Sequence, residues 1–409
     1  MVTSVISAGD AANLGVQTTG GNDGVLVLRS GAAGAKVDAL SIAAVGTATF
    51  VGEVAGVTAI NSGQIGGRRN IVYNGEMKVA QRSASETGLG AASGYFTLDR
   101  WKADLGATAG RFTMAQVADG PSGFANCLKL TTTTADTSIA AGELFILSQK
   151  LEGQDLQQLK KGTSTAEQVT VSFYVKGNAA AVYVCEIYDL DNNRSITQSF
   201  AVTTSWNRIE LTFAADTSDP LDDDNAGSFS VQWWLHAGAT YAGGTFAVNT
   251  WNDVVQANRA AVSGFTSIFD STSRTLFLTG VQMEIGATAT DFESRSYGEE
   301  LALCQRYYYQ TVYGGSDTTI AHGTAASATV AAQCGSTHPV TMRAIPTLAE
   351  AGTLTAYDGT ANGDIGISIN SCSITNLSFN CTASSLTLGR AVQILANAAA
   401  DYLTLTAEL

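Results

Sequence analysis

The chain has 409 residues, of which 45% are hydrophobic and only 14% charged, with 42 glycines and four prolines. A chain of this length usually forms two or three domains, and this composition favours short strands joined by glycine-rich turns over a helical bundle. The formal net charge of −14 opposes binding to nucleic acid and to acidic membrane surfaces, because both need clustered basic residues. With no basic leader and no run of about 18 apolar residues, we expect neither a signal peptide nor membrane insertion.

Residues 1–66 contain short β patterns but almost no aromatic side chain that could form a core. The predicted strands are Val25–Leu28, Val37–Ile42 and Thr47–Val51. Three such strands bury too little surface to be stable alone, and identical copies of the chain would supply the missing neighbours. We therefore predict an interchain β segment that serves for attachment, followed by a hinge at Gly63–Gly67.

From Asn70 onward, regular alternation of apolar residues predicts two packed antiparallel sheets, with residues 67–298 as one domain. The side chains predicted to face the core are Val169, Val171, Phe173, Val175, Ile209, Leu211, Phe213, Val281, Met283 and Ile285. A helical insertion is predicted in LEGQDLQQLKKG, where Leu156 and Leu159 share one face and Gly162 ends the run.

Residues 299–312 are predicted to be a linker helix, because Leu301, Cys304 and Tyr308 fall on one side of a helix. The three consecutive tyrosines of this helix, 307–309, then point in different directions, one onto a domain and another onto a neighbouring chain. Residues 313–409 return to short β patterns and have the length of a small C-terminal β-sandwich.

Several segments between residues 70 and 310 occur together in one order. They are NIVYNGEMKVAQRS (70–83), YFTLDRWKA (95–103), LSQKLEGQDLQQL (147–159) with VTVSFYVKG after it, DDDNAGSFSVQWWLHAG (222–238) and GVQMEIGATATDFESRSYGEELALCQRYY (280–308). In this order they resemble the fibre and receptor-binding proteins of tailed bacteriophages, and HPVTMRAIPT (338–347) resembles the start of the β-domain that often follows. The resemblance implies an all-β, homotrimeric virion fibre with a jelly roll similar to carbohydrate-binding modules. Residues 1–66 would then contact other virion proteins.

The sequence has none of the common enzyme motifs: no GxSxG elbow, no HExxH, no phosphate loop and no dinucleotide fingerprint. His236, His322 and His338 lie far apart, without metal-ligand spacing. A glycan-cleaving fibre needs two carboxylates across the scissile bond, and nothing in the sequence selects such a pair. We therefore expect a protein with no catalytic residues, no cofactor and no metal.

Trp234 is the residue that we predict to contact a glycan. In SFSVQWWLHAG the side chains alternate, so if Trp233 faces the core then Trp234 shares the polar face with Gln232 and His236. An exposed indole beside hydrogen-bonding groups suits a sugar, because the C–H face of the sugar stacks while its hydroxyls are bonded at the rim. Trp234 and His236 are therefore the main predicted site residues.

Tyr241 and Trp251, on the loop that follows, would complete this glycan platform, and Gly243-Gly244 would let the loop approach closely. The alternative is that Trp234 is covered by the Leu156 helix, by another domain or by a second subunit, because exposed-looking aromatic residues often mark interfaces.

Two acid-rich loops, DTSDPLDDDNAG and DLDNNRSITQSF, invite a Ca²⁺ site built from oxygen ligands, but neither has the spacing of an EF-hand. Solvated loops are the favoured interpretation. The six cysteines are too sparse for a disulfide scaffold and suggest buried thiols of a protein made in a reducing cytoplasm; a Cys372–Cys381 bridge is the alternative.

The first functional hypothesis is a virion fibre, assembled in the host cytoplasm, that binds a host-surface glycan without cleaving it. Several tethered sites would raise its avidity by about 10²–10⁴ without new contacts. The second hypothesis is a head fibre or decoration protein that packs against other virion proteins and binds no glycan. The third is a polysaccharide depolymerase.

Overall fold

The computed structural model describes residues 68–311, 318–327, 330–359, 362–383 and 386–409, together with short strands between residues 5 and 64. Contacts divide the chain into two compact units, residues 1–57 and 58–409. No helix in these described parts is long and apolar enough to cross a membrane.

The first unit contains one small sheet. Its strands are β1 (Val5–Ser7), β2 (Val27–Ser30) and β3 (Val37–Asp38). β1 pairs with β2 in parallel and β2 pairs with β3 antiparallel. The predicted strand Thr47–Val51 lies outside the described residues. Attachment and trimer formation through residues 1–66, and the boundary at residue 66, stay predictions.

The second unit begins with a short hairpin and continues into a sandwich of two sheets. The hairpin strands are β4 (Ala59–Ile60) and β5 (Gly63–Gln64). The sandwich strands are β6 (Ser85–Leu89), β7 (Gly94–Tyr95), β8 (Lys102–Gly106), β9 (Arg111–Val117), β10 (Cys127–Thr134), β11 (Leu144–Glu152), β12 (Val169–Gly177), β13 (Ala181–Asp189), β14 (Arg194–Val202), β15 (Asn207–Phe213), β16 (Gly227–Ala237), β17 (Asn252–Asp253) and β18 (Thr275–Ile285).

One sandwich sheet has six strands in the order β15-β12-β18-β10-β9-β6, and the other has seven in the order β17-β14-β13-β16-β11-β8-β7. All the pairings within both sheets are antiparallel. At most connections the chain passes from one sheet to the other, which is the arrangement of a jelly roll. The predicted all-β architecture with packed antiparallel sheets is therefore confirmed.

The core lies between these two sheets. Phe173 of β12 and Trp233 of β16 meet edge-on across it, with ring centroids 5.6 Å apart. The predicted core residues that are buried are Val169, Val171, Phe173, Val175, Leu211, Phe213, Val281 and Met283. Ile209 and Ile285 are partly buried and pack against the same core. The alternation in the sequence thus predicted the inward faces of β12, β15 and β18.

The helical insertion predicted near Leu156 is a pair of short 3-10 turns, Gly153–Asp155 and Gln157–Leu159. Leu156 and Leu159 are both buried in the core, as the pattern indicated. Between β16 and β18 the chain forms a short helix, α1 (Ala239–Ala242), and one more 3-10 turn, Gln256–Asn258.

The linker helix is shorter than predicted. It is α2 (Tyr297–Gln305), and it begins with a capping box in which Ser296 and Glu299 each accept a hydrogen bond from the other's backbone N–H. After α2 the chain extends into β19 (Tyr308–Gln310), so the predicted helical stripe through Tyr308 is wrong.

The tyrosines explain where α2 ends. Tyr307 and Tyr308 are buried within the chain, and their rings lie 3.5 Å from the Arg100 guanidinium and 3.6 Å from that of Arg82. These cation–π contacts with largely buried arginines fix the orientation of the Tyr307 and Tyr308 rings. If α2 continued through Tyr308, both rings would turn away from the arginines.

The C-terminal part is a second, smaller sandwich. Its further strands are β20 (Thr318–Ala325), β21 (Val330–Thr337), β22 (Thr347–Ala351), β23 (Leu354–Tyr357), β24 (Asn362–Asp364), β25 (Gly366–Cys372), β26 (Asn376–Thr382), β27 (Ala391–Ala396) and β28 (Tyr402–Thr406). One sheet has the order β24-β23-β27-β20-β21-β26-β25 and the other β19-β28-β22. Side chains from both sheets, among them Phe379 and Leu405, share one core. The predicted division into domains, 67–298 and 313–409, stays a prediction.

The last residues of the chain are bound to the first sandwich. The Glu408 carboxylate pairs with Arg100 and lies 3.0 Å from Arg82 Nη2, and the Tyr95 hydroxyl donates to the Leu409 carbonyl at 2.9 Å. Because Arg100 is fully buried, the Glu408 carboxylate neutralises a charge that water cannot reach.

The acid-rich loops are held by basic side chains. Lys161 Nζ lies 2.7 Å from Asp189 and 3.2 Å from Asp216, and Arg194 Nε lies 3.1 Å from Asp216. Asp189 also accepts hydrogen bonds from backbone N–H groups of its own turn. The buried carboxylates of both loops are thus already paired with cations.

All six cysteines are free thiols. The Sγ atoms of Cys334 and Cys381, on neighbouring strands, lie 3.4 Å apart. Cys372 is instead paired in register with Leu377, and its thiol faces the Pro346 carbonyl at 3.7 Å. The thiol close to Cys381 is therefore that of Cys334, and the alternative Cys372–Cys381 bridge is wrong.

We predict that a mild oxidant such as diamide will join Cys334 to Cys381. The hydrogen bond from Cys381 lowers the pKa of the Cys334 thiol below its ordinary value, which favours the reactive thiolate. Peptide mapping by mass spectrometry should find this one cross-link in wild-type protein and none in Cys334→Ser, with Cys372→Ser behaving as wild type. A cross-link through Cys372 would contradict the arrangement.

Candidate functional site

Trp234 is fully buried, with 0% of its surface exposed. Its indole N–H donates to Glu186 Oε2 at 2.6 Å, and its ring lies 5.4 Å from that of Tyr241. The prediction that Trp234 is exposed on the outer face of the sheet is therefore wrong. A ring enclosed in this way cannot stack on a sugar.

The cover over Trp234 is the chain's own segment between β16 and β18, named here the covering segment (residues 238–274). Its side chains and those of the sheet below enclose Trp234 in a separate apolar cluster that includes Ile146, Val184, Ala260, Tyr241, Phe246 and Val262. Leu156, which the sequence suggested as a cover, belongs to the core between the sheets. Alternation along β16 indicates which face Trp234 occupies, but not that a later segment folds back over that face.

His236 is also buried, with 0% exposed, so its predicted place on an open sugar-binding face is wrong. Its Nε2 lies 3.2 Å from Glu143 Oε2 and its Nδ1 lies 2.7 Å from Ser267 Oγ. Burial lowers the pKa of His236 below its ordinary value, although the hydrogen bond with Glu143 acts in the opposite direction.

Tyr241 and Trp251 are both partly buried and belong to different surroundings. Tyr241 packs on Trp234, whereas Trp251 stacks on Phe229 at 6.0 Å and donates its indole N–H to the Ala214 carbonyl at 2.8 Å. The structure therefore brings together Trp234 and Tyr241 but places Trp251 against the core between the sheets. Glycan contact by Tyr241 and Trp251 stays a prediction.

Arg259 of the covering segment is bound to the outer face of the seven-stranded sheet. Its Nη2 and Nε lie 2.8 and 2.9 Å from the carboxylate oxygens of Glu186, and Nη2 also donates to Gln232 Oε1 at 3.0 Å. The guanidinium lies 4.8 Å from the ring centroids of Tyr188 and Trp234. This paired and stacked guanidinium is held in one orientation.

A cleft of about 400 Å³ opens beside Arg259, between the sheet edge and the covering segment. Its lining side chains carry hydroxyl groups, amides and one ion of each sign, together with apolar surface. The lining residues are Ser195, Thr197, Thr245, Ala247, Thr250, Asn252, Asp253, Val255, Asn258 and Arg259. This volume is in the range of small-molecule sites, about 300–1,000 Å³.

Backbone hydrogen bonds hold the wall of the cleft. Asn249 N–H donates to the Thr197 carbonyl of β14 at 2.9 Å, and within the covering segment Gly244 N–H donates to the Ala257 carbonyl at 2.8 Å. A Cβ at Gly244 would lie 2.1 Å from Asn258 Oδ1 and 2.8 Å from the Ala257 backbone, so this position favours glycine. The cleft is thus largely preformed.

The sequence did not reveal one further group, because its members are distant along the chain. Asp136, Glu143 and His236 are all buried, and one ligand atom from each lies within 4.8 Å of the others. No spacing motif connects the loop between β10 and β11 to the end of β16. The pairing of β11 with β16, in which Phe145 lies opposite His236, brings Glu143 close to His236, and the Asp136 N–H donates to the Phe269 carbonyl at 2.8 Å.

Fold and site together define an antiparallel jelly-roll β-sandwich with a cleft of mixed polar and apolar lining at the outer face of one sheet. No protein-family model matches the chain, and no curated protein matches it.

Similar solved structures include the enzymatically active domain of bacteriophage CBA120 tailspike protein 4, with 11% identity and a TM-score of 0.26 over 53% of this chain and 21% of that chain. The family 11 carbohydrate-binding module of Clostridium thermocellum Lic26A-Cel5E has 15% identity and a TM-score of 0.26, over 51% of this chain and 99% of that chain. TmCBM61, solved in complex with β-1,4-galactotriose, has 10% identity and a TM-score of 0.28, over 53% and 99%. Similarities this low assign no function to this chain.

Proposed function

We propose that the chain is a glycan-binding protein and that the cleft beside Arg259 is its binding site. The observation that carries the proposal is the composition of the cleft, in which hydroxyls, amides, Asp253 and Arg259 converge on a space of about 400 Å³. Sugars present many hydroxyl groups, each of which donates and accepts, and a wall of this kind can satisfy them in a fixed geometry. Val248 and Val255 are exposed nearby, by 60% and 55%, and offer apolar surface to the C–H face of a sugar.

We propose that binding proceeds without cleavage. Glycoside hydrolysis needs two carboxyl groups about 5–10 Å apart on either side of the bond. Among the residues that line the cleft, Asp253 carries the one carboxylate. Glu186, the buried partner of Arg259, also accepts a hydrogen bond from the Trp234 indole. The Glu186 carboxylate therefore cannot act freely as an acid or a nucleophile.

The biological setting that we propose is a homotrimeric bacteriophage tail fibre, in which this sandwich recognises a host-surface glycan. The segments between residues 70 and 310 that resemble phage fibre and receptor-binding proteins support this proposal. Light scattering on the purified full chain should give three times the chain mass of 42.3 kDa, and a monomer would refute the homotrimer.

Replacing Asn252 and Asp253 together with alanine should abolish or strongly weaken glycan binding while leaving the fold intact. Both side chains are exposed at the edge strand β17, and a hydrogen bond to a charged group is worth about 1.5–3 kcal/mol, which corresponds to roughly tenfold or more in affinity. A glycan array screened with the wild-type chain selects the ligand, and isothermal titration then compares wild type with the double variant.

Glu210→Ala is the matched control for this test. Glu210 is an exposed carboxylate of β15, on the opposite sheet, and pairs with Arg208 at 3.1 Å much as Asp253 pairs with Arg194 at 3.1 Å. This control should bind as wild type. Failure of the wild-type chain to bind any glycan would favour a head fibre or decoration protein, and full binding by the double variant would reject the cleft.

A further inference from the structure

The buried group formed by Asp136, Glu143 and His236 has the side chains of a metal site. Their exposed fractions are 5%, 6% and 0%, and the three possible ligand atoms lie within 4.8 Å of one another. Because a zinc–nitrogen or zinc–oxygen bond is about 2.0–2.2 Å long, atoms on one ion lie about 3–4 Å apart. A small movement of the three side chains toward one another would therefore give the distances of a metal site.

The charge of the group is unbalanced. Across the described residues, neither Asp136 nor Glu143 forms an ion pair with a lysine or arginine; their charged neighbours are each other and His236, with which Glu143 pairs. This differs from Glu186, Asp189 and Asp216, which are all buried and all paired with an arginine or lysine. Buried carboxylates are normally paired with a cation or bind a metal, so two of them here need either a shared proton or a cation.

The surroundings hold the three side chains in place. Asp136 Oδ2 accepts hydrogen bonds from the Thr108 hydroxyl at 3.0 Å and from the Ala109 N–H at 2.8 Å. Ser267 Oγ lies 2.7 Å from His236 Nδ1, which leaves Nε2 directed at the carboxylates. Metal-binding histidines usually have such a partner on the second ring nitrogen, because it sets the tautomer and the ring orientation.

We propose that Asp136, Glu143 and His236 bind one divalent transition-metal cation, with Zn²⁺ as the preferred ion. One imidazole nitrogen and two carboxylates form a ligand set that suits zinc, whereas Ca²⁺ takes six to eight oxygen ligands. A water molecule or the second oxygen of a carboxylate completes the coordination. Ser267 is a positioning residue that acts through His236.

The site has a structural consequence for the cleft. His236 comes just before the covering segment and Ser267 lies near its end, while the Gly238 N–H donates to the Glu143 carbonyl at 2.8 Å. A cation at this point therefore joins the loop between β10 and β11 to both ends of the covering segment. Hydrogen exchange of residues 238–267 should slow when zinc is added to metal-free protein.

The test uses the full chain without an affinity tag, made metal-free by chelation and then dialysed against Zn²⁺ or Ca²⁺. Plasma mass spectrometry should find about one zinc ion per chain and no retained calcium. Ser267→Ala should weaken zinc binding by about 10–100-fold, and the double variant Asp136→Asn/Glu143→Gln should lose it. Glu210→Ala, on the opposite sheet, serves as the control.

Two results would overturn the proposal. If the folded wild-type chain retains no zinc, the two carboxylates share a proton instead. If the double variant binds zinc as tightly as wild type, the ion lies elsewhere. Should the double variant fail to fold, the zinc X-ray absorption spectrum of the wild-type chain decides: one imidazole with oxygen ligands supports the site, while several imidazoles or a sulfur ligand refute it.

Discussion

Replacing Arg259 with methionine is expected to lower the free energy of unfolding by about 3–5 kcal/mol, because it leaves a buried carboxylate without its cation. Glu186 is 0% exposed and is bound by two nitrogens of Arg259, with the Trp234 indole N–H as a further partner. Denaturant unfolding followed by tryptophan fluorescence measures the change, because the five tryptophans lie between residues 101 and 251.

Lys160→Met is the control for Arg259→Met. Lys160 forms an ion pair with Glu167 at 2.6 Å, but its side chain is 52% exposed, and exposed pairs contribute only about 0–1 kcal/mol. A similar small loss of unfolding free energy for both variants would mean that the buried pair of Arg259 and Glu186 does not hold the covering segment.

Arg259→Met should also weaken glycan binding, because Arg259 lines the cleft.

Glu408→Ala is expected to cost about 3–5 kcal/mol as well, and the loss should affect both sandwiches. Arg100 is 0% exposed and is held between the Glu408 carboxylate, the Lys150 carbonyl at 2.6 Å and the Tyr307 ring at 3.5 Å. Removal of the carboxylate leaves the guanidinium buried with one carbonyl and one ring. Calorimetry should show a lower unfolding temperature, and limited proteolysis should release the C-terminal part more rapidly.

Glu350→Ala tests whether this effect is specific. Glu350 is an exposed carboxylate of β22 in the same C-terminal sandwich, and surface substitutions usually change stability by less than about 0.5 kcal/mol. Equal unfolding temperatures for Glu408→Ala and wild type would show that the end of the chain is not an important contact between the sandwiches.

Period-two alternation was sufficient to predict most of the core. Val171 and Phe173 of β12, and Trp233 of β16, face inward as expected, because a strand with one buried face must alternate. The helical insertion near Leu156 lies where it was predicted, although it consists of two short 3-10 turns. These features depend on residues close together in the sequence.

The errors concern contacts between distant residues. Trp234 occupies the predicted face of β16, but the covering segment, which follows β16 in the chain, folds back and buries it. The linker helix ends at Gln305 because Tyr307 and Tyr308 pack on arginines some 200 residues earlier in the chain. Local propensity does not contain this information.

The cleft and the buried group of Asp136, Glu143 and His236 were missed for the same reason. Thr197 and Asn252 contribute polar groups to the cleft from strands that the sequence does not show to be adjacent. Small polar residues are common in loops, so no single one of them indicates a site. Only the antiparallel pairing of β14 with β17 places them on one wall.

A crystal structure of the full chain with an oligosaccharide selected from the glycan array would show directly whether the cleft beside Arg259 binds glycan. We expect sugar density in the cleft, within hydrogen-bonding distance of Thr197, Asn252 or Arg259, and Trp234 still enclosed by the covering segment. Sugar bound instead on the six-stranded sheet or on the C-terminal sandwich, with the cleft empty, would contradict it.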